Sequence, residues 1–168
     1  STAGAYHKWI EYSLPWKQLH HYVKSDAFII DILALAARYG VRAEPSPGVV
    51  RSRFEFSAMP ADGGCLLPHT DIASKIFTVV IPIGTDTEWD HAWGGGTDIL
   101  EPLNPADNLV DYKAGLDKFC KVETFEFLPN RAVVFVKTNN SWHSVGPMTG
   151  PKGTYRRTVT INIERLTA

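Results

Sequence analysis

The sequence predicts a mainly β fold, a double-sheet barrel of jelly-roll type with flanking α-helices. Apolar residues recur at helical spacing only upstream of Pro45-Ser46-Pro47-Gly48; downstream they alternate or form short runs between Gly, Pro, Asp and Asn clusters. Those runs amount to about eight short strands, the number of a jelly roll. A chain of 168 residues with 44% hydrophobic content has the length of one domain and enough apolar material for a sizeable core. The expected organisation is one domain over 1–168, with a helical flank at about 13–40 and a barrel at about 50–165.

The opening Ser1-Thr2-Ala3-Gly4-Ala5 is small and carries no pattern, and reads as a frayed end or a remnant of expression that is given no weight. Trp16, Leu19, His20 and Val23 then mark a short helix, with Ser13 placed to cap it and Pro15 in its first turn. Ser25 or Asp26 opens a longer helix in which Ile29, Ile32, Leu33, Leu35 and Ala36 form an apolar face, and Gly40 ends it. Strands are expected at 50–57, 66–70, 77–83, 97–101, 124–127, 132–137, 143–145 and 157–164. Two stretches, 84–96 and 103–121, interrupt that regularity, and loops this long in a compact domain are usually functional lids or disordered insertions.

Seventeen Lys+Arg against eighteen Asp+Glu leave a net charge of −1 with no long basic run, so a nucleic-acid partner is not expected. The apolar runs, such as Thr78-Val79-Val80-Ile81, are far too short for a membrane span, and no signal-peptide pattern opens the chain. An intracellular, cytoplasmic protein without a membrane partner is the expectation. Cys65 and Cys120 lie 55 residues apart without CxxC spacing, which argues against a thiolate zinc site or a disulfide scaffold. Cys65 is expected to be a small buried hydrophobe.

The chemistry concentrates in His69-Thr70-Asp71 and His143. Residues i and i+2 of an extended strand share a face, so His69 and Asp71 reach one ion together, and a rolled sheet can bring His143 beside them. Two imidazoles and a carboxylate leave open positions, the facial arrangement that suits Fe(II) oxygen chemistry. His-x-Asp alone is a weak pattern. Its neighbours strengthen it: the turn Pro60-Ala61-Asp62-Gly63-Gly64 ahead of the pair, Trp93-Gly94-Gly95-Gly96-Thr97 between the ligand regions, and Asn140-Ser141-Trp142-His143 ahead of Arg156-Arg157-Thr158.

In these parts and their order, from about Arg51 to Arg165, the chain resembles the 2-oxoglutarate and Fe(II)-dependent dioxygenases, within them the prolyl-hydroxylase-like branch. The resemblance implies a double-stranded β-helix (cupin-like) barrel with His69, Asp71 and His143 as iron ligands. It also implies a basic residue, Arg156 or Arg157, that pairs with the distal carboxylate of 2-oxoglutarate, and a Gly95-Gly96-Thr97 turn beside the site. Strand phase favours Arg156: Val159, Ile161 and Ile163 form one face of the last strand, while Thr158, Thr160 and Asn162 form the other, which Arg156 shares. Arg156 would make the fork-like contact, with Thr158 or Thr160 adding a hydroxyl donor. Arg157 is the alternative. Where many family members carry a tyrosine upstream of the first iron histidine, this chain has Met59.

The implied cofactors are Fe(II), 2-oxoglutarate as cosubstrate and O2, with ascorbate admitted as an accessory. The implied reaction is decarboxylation of 2-oxoglutarate to succinate and CO2, coupled to hydroxylation of a small-molecule or peptidyl, prolyl-like substrate. Asn140 and Trp142 flank a ligand and are candidates for pocket contacts, with plain core an equal reading of Trp142. Trp89, His91 and Trp93 in the first interruption, and Tyr112 and Lys113 in the second, are candidate lid contacts. Two other classes stay open: a cupin-type metal barrel without 2-oxoglutarate chemistry, and a non-catalytic binding domain. Oligomeric state is not legible in one sequence.

Overall fold

A computed structural model of the chain describes residues 2–41, 49–84, 88–105 and 115–166. The candidate lid residues Tyr112 and Lys113 lie outside these residues. Three helices, α1 (Thr2–Ile10), α2 (Leu14–Val23) and α3 (Asp26–Arg38), precede eight strands. The strands are β1 (Val50–Pro60), β2 (Leu66–His69), β3 (Lys75–Pro82), β4 (Thr97–Pro102), β5 (Phe119–Phe125), β6 (Val133–Val136), β7 (His143–Val145) and β8 (Tyr155–Arg165). They form two four-stranded sheets, ordered β1-β8-β3-β6 and β2-β7-β4-β5, a mainly β jelly roll with flanking helices. Neighbouring strands whose registers are resolved pair antiparallel.

The chain divides into two compact units, 1–53 with 163–168, and 54–162. In the first, Pro15 stands in the opening turn of α2 as the sequence requires, and α3 buries Phe28, Ile29 and Ile32. Gly40 takes φ +75 just past α3, where the Val41 and Gly40 amides close on the carbonyls of Ala36 and Ala37. From Thr2 onward the opening residues are a helix, α1, and not a frayed end. Tyr6, Trp9 and Ile10 fall at i, i+3 and i+4, and Trp9 and Tyr6 meet Trp16 and His20 of α2, with ring centroids 5.5 and 5.6 Å apart. Glu164, almost fully buried, is held by Arg53 at 2.9 Å and Arg51 at 3.4 Å, so the buried charge is paired.

In the second unit, β8 shows the alternation read from the sequence. Val159 and Ile161 are buried on one face; Arg156, Thr158 and Asn162 are buried on the other, which faces polar neighbours. β5 begins five residues before the expected 124–127 and takes up part of the predicted 103–121 interruption. It is an edge strand with a mostly exposed pattern, so it lacks the apolar alternation that marks a half-buried strand. Cys65 and Cys120 are free and exposed, which corrects the buried placement expected for Cys65; it sits just ahead of the exposed start of β2, Leu66 and Leu67. Among the described residues no helix is long and apolar enough to cross a membrane.

Candidate functional site

β2 and β7 are adjacent antiparallel strands, and their register sets His69 directly opposite His143. A register shift interrupts the pairing between Leu66 and His69, where the buried Pro68 has no amide proton to give to the ladder. His143 is also opposite Ile99 of β4, so it stands in the middle of its sheet. Asp71 follows two residues after His69. One ligand atom from each of His69, Asp71 and His143 lies within 4.8 Å of the others, close enough to converge on a single ion.

Both imidazoles are oriented in the same way. His69 Nδ1 lies 3.0 Å from the Leu67 carbonyl oxygen and His143 Nδ1 lies 3.0 Å from that of Ser141. A ring N–H donated to a carbonyl fixes the tautomer and leaves Nε2 with its lone pair for a metal. His143 is also packed between two rings, with centroids at 4.2 Å from His69 and 4.5 Å from Phe135. Burial, and the neighbouring His69, lower its pKa to about 4, so the imidazole is neutral at physiological pH, as a ligand must be.

Asp71 is 9% exposed, and each of its oxygens has a donor. Lys75 Nζ stands 2.8 Å from Oδ1 and the Thr78 hydroxyl donates to Oδ2 at 2.6 Å. Burial acts to raise the pKa of this carboxyl, but those two donors outweigh it and hold the carboxyl below its usual value. Asp71 is therefore an anion at neutral pH.

The triad opens on a cavity of about 210 Å³ lined from both sheets, with Glu55, Ser57 and Met59 of β1, Thr78 and Val80 of β3, Thr97, Phe135 and Val145 among its walls. Arg156, Thr158 and Thr160 of β8 line the same space. Arg156 is 6% exposed. Its Nε donates to the Gly95 carbonyl at 2.6 Å, its guanidinium carbon lies 4.8 Å from the centre of the Phe127 ring, and no carboxylate among the described residues pairs with it. Burial lowers its pKa to about 10, which still leaves it fully cationic at pH 7.

Gly95 explains how a guanidinium stem fits there. It has φ +86, a conformation that favours glycine, and a Cβ at this position would come within 2.9 Å of the Trp89 ring and 3.4 Å of Arg156 Cδ. The Gly-Gly-Thr turn thus supplies Arg156 with both room and an acceptor, while Thr97 lines the cavity. Nothing in the sequence flagged the Gly95 carbonyl, the Phe127 ring, Lys75 or Thr78; each depends on contacts between distant segments or on the path of a turn.

The other expected residues fall elsewhere. Arg157 is exposed and lines a separate cavity of about 200 Å³ with Trp89, Tyr155 and Glu88. Trp93 packs on a cluster of Ala61, Trp89, Phe127 and Met148 and does not line the triad cavity, whereas Met59 touches both. Trp142 is 2% exposed and its ring is tilted against that of Phe119, with centroids 4.7 Å apart, as a core residue. Asn140 is exposed and its Oδ1 accepts from Thr138 within a turn. His91 is exposed in a short 3-10 turn, His91–Trp93.

No family model matches the sequence, and no curated protein sequence matches it. Solved structures do. A prolyl-4-hydroxylase of Pseudomonas putida aligns at 18% identity over 83% of this chain and 64% of its own, with a TM-score of 0.49. A prolyl 4-hydroxylase structure from Phytophthora capsici aligns at 18% identity over 88% of this chain and 42% of its own, with a TM-score of 0.51. The chain spans less than two-thirds of each of these proteins. At this identity the likeness is one of fold.

Proposed function

We propose that this chain is an Fe(II)- and 2-oxoglutarate-dependent oxygenase that hydroxylates a small-molecule or peptidyl, prolyl-like substrate. One observation carries the reading: a single cavity holds two histidines and an aspartate converging on a point and, on its other wall, a buried arginine with no carboxylate partner among the described residues. A divalent cation satisfies the first group and a dianionic cosubstrate satisfies the second.

The donor set fits the metal. Two neutral imidazoles with Nε2 available and one ionised carboxylate are the mixed nitrogen and oxygen ligands that suit Fe(II) and leave positions open. Bound there, Fe(II) supplies the coupling of dioxygen reduction to oxidative decarboxylation: 2-oxoglutarate, O2 and a C–H bond become succinate, CO2 and an alcohol. The protein's part is placement. Arg156 binds the distal carboxylate of 2-oxoglutarate by a charge-assisted fork, and the buried Thr158 hydroxyl beside it is a further donor. Phe135, Val80 and Val145 add apolar wall to the cavity, which strengthens the electrostatic contacts within it.

The prolyl 4-hydroxylase likeness makes peptidyl proline the first substrate class to try. Aerobic incubation of the chain with Fe(II), ascorbate and 2-oxoglutarate, with and without proline-rich peptides or small amino acids, should yield succinate above a metal-free control. Absence of succinate under every condition would move the reading to a non-catalytic binding domain or, with metal bound, to a cupin-type metal barrel without 2-oxoglutarate chemistry.

A further inference from the structure

β8 meets β3 in one antiparallel register, from the Ile83 amide on the Arg157 carbonyl to the Thr78–Asn162 pair five residues along each strand. Thr78 Oγ1 lies 2.6 Å from Asp71 Oδ2 and 3.2 Å from Asn162 Oδ1. One hydroxyl proton cannot serve two acceptors. The arrangement that gives the Thr78 hydroxyl one acceptor and one donor has its proton on the charged Asp71 oxygen and the Asn162 amide turned so that its NH2 faces Thr78 Oγ1. This also gives a partner to Asn162 Nδ2, which is fully buried and otherwise unpartnered among the described residues. The result is a directed chain from Asn162 to Thr78 to Asp71.

Building on the metal reading above, we infer that Thr78, backed by Asn162, is a positioning residue for Asp71. It fixes the plane of the carboxylate by holding Oδ2, while Lys75 holds Oδ1. Groups that orient a metal ligand in this way set the affinity of the site without touching the ion. The same polar face of β8 then supports both ends of the cavity, with Arg156 at one end and Asn162 behind the triad at the other.

Mn(II) alone is the probe, titrated into the full chain and followed by the electron paramagnetic resonance signal of the free ion. Thr78→Val, which keeps the shape and removes the hydroxyl, should weaken Mn(II) binding about 10- to 100-fold. Thr78→Ser should restore it to within about threefold, and Asn162→Leu should fall between the two. Thermal unfolding of each metal-free variant separates a packing defect from a positioning one. A folded Thr78→Val chain that binds Mn(II) like the wild type overturns the inference. So does a folded Asn162→Leu chain with wild-type affinity, which decides the matter if Thr78→Val fails to fold. A wild-type chain that binds no Mn(II) overturns the metal reading itself, and the positioning role with it.

Discussion

The two ends of the cavity are built on different principles. At the triad, every polar atom that orients the site is already engaged: both Nδ1 atoms face backbone carbonyls and both Asp71 oxygens have donors. At Arg156, a buried cation has one carbonyl, one aromatic face and no carboxylate among the described residues. A fully oriented set of ligands is rigid and selective for an ion. A cation held by stem contacts, with no carboxylate among the described residues to compensate it, is suited to an anion that arrives from solution. The difference separates what the protein completes by itself from what it leaves to a ligand.

Removing a ligand tests the completed end, and the effect there should be the largest. Asp71→Ala takes away the only carboxylate of the triad, so Mn(II) binding and succinate formation should both fall to background; turnover near the wild-type level would refute the ligand assignment. The other end should respond through affinity. Arg156→Ala should weaken 2-oxoglutarate binding by about 100-fold, the loss expected for a bidentate charged contact, whereas Arg157→Ala should stay within about twofold. The reverse pattern in calorimetric titrations would exchange the two arginines.

Gly95→Ala probes the support behind Arg156. The forced left-handed backbone and the 2.9 Å approach to Trp89 should destabilise the chain by about 1–3 kcal/mol and weaken 2-oxoglutarate binding while leaving Mn(II) affinity within about twofold. Equal losses at both ends would mean that the two are not separable.

The last effect concerns acid and leaves both ligands out. Above pH about 6.5 the His143 imidazole is neutral in folded and unfolded chains alike, so it contributes no pH dependence. Between about 6.5 and 4 the unfolded chain takes up a proton that the folded one refuses, because burial holds the folded pKa near 4. Stability of the metal-free protein should therefore fall as pH drops through this window, by at most about 3 kcal/mol. His20, lowered in the same direction by partial burial, adds to the slope, so the relevant quantity is the difference from His143→Gln, which should flatten the curve. An unchanged slope would place the proton uptake elsewhere.

Much of the fold was legible because strands declare themselves by alternation. The period-2 pattern of β8 separated Val159 and Ile161 from Arg156, Thr158 and Asn162, and in the structure those two sets occupy opposite faces. His69 and Asp71 are read by the same rule, but β2 ends at His69 and Asp71 lies two residues beyond it, so their approach comes from the segment that follows and not from strand alternation. β5 was not, since an exposed edge strand has no buried face to alternate with, and neither was α1, whose first four residues are small and carry no amphipathic stripe. Contacts that depend on the path of the chain left no local trace. The Gly95 carbonyl reaches Arg156 across 61 residues and Thr78 reaches Asn162 across 84, so the supports of the site became visible only once the sheets were assembled.

The most direct test of the two-ended cavity is calorimetric titration of 2-oxoglutarate into the full chain, with Mn(II) and then with the metal chelated. If the triad and Arg156 serve one ligand together, binding should be at least about tenfold tighter with Mn(II) present than without it. Equal affinity in both conditions, or no binding with Mn(II) loaded, would contradict the account.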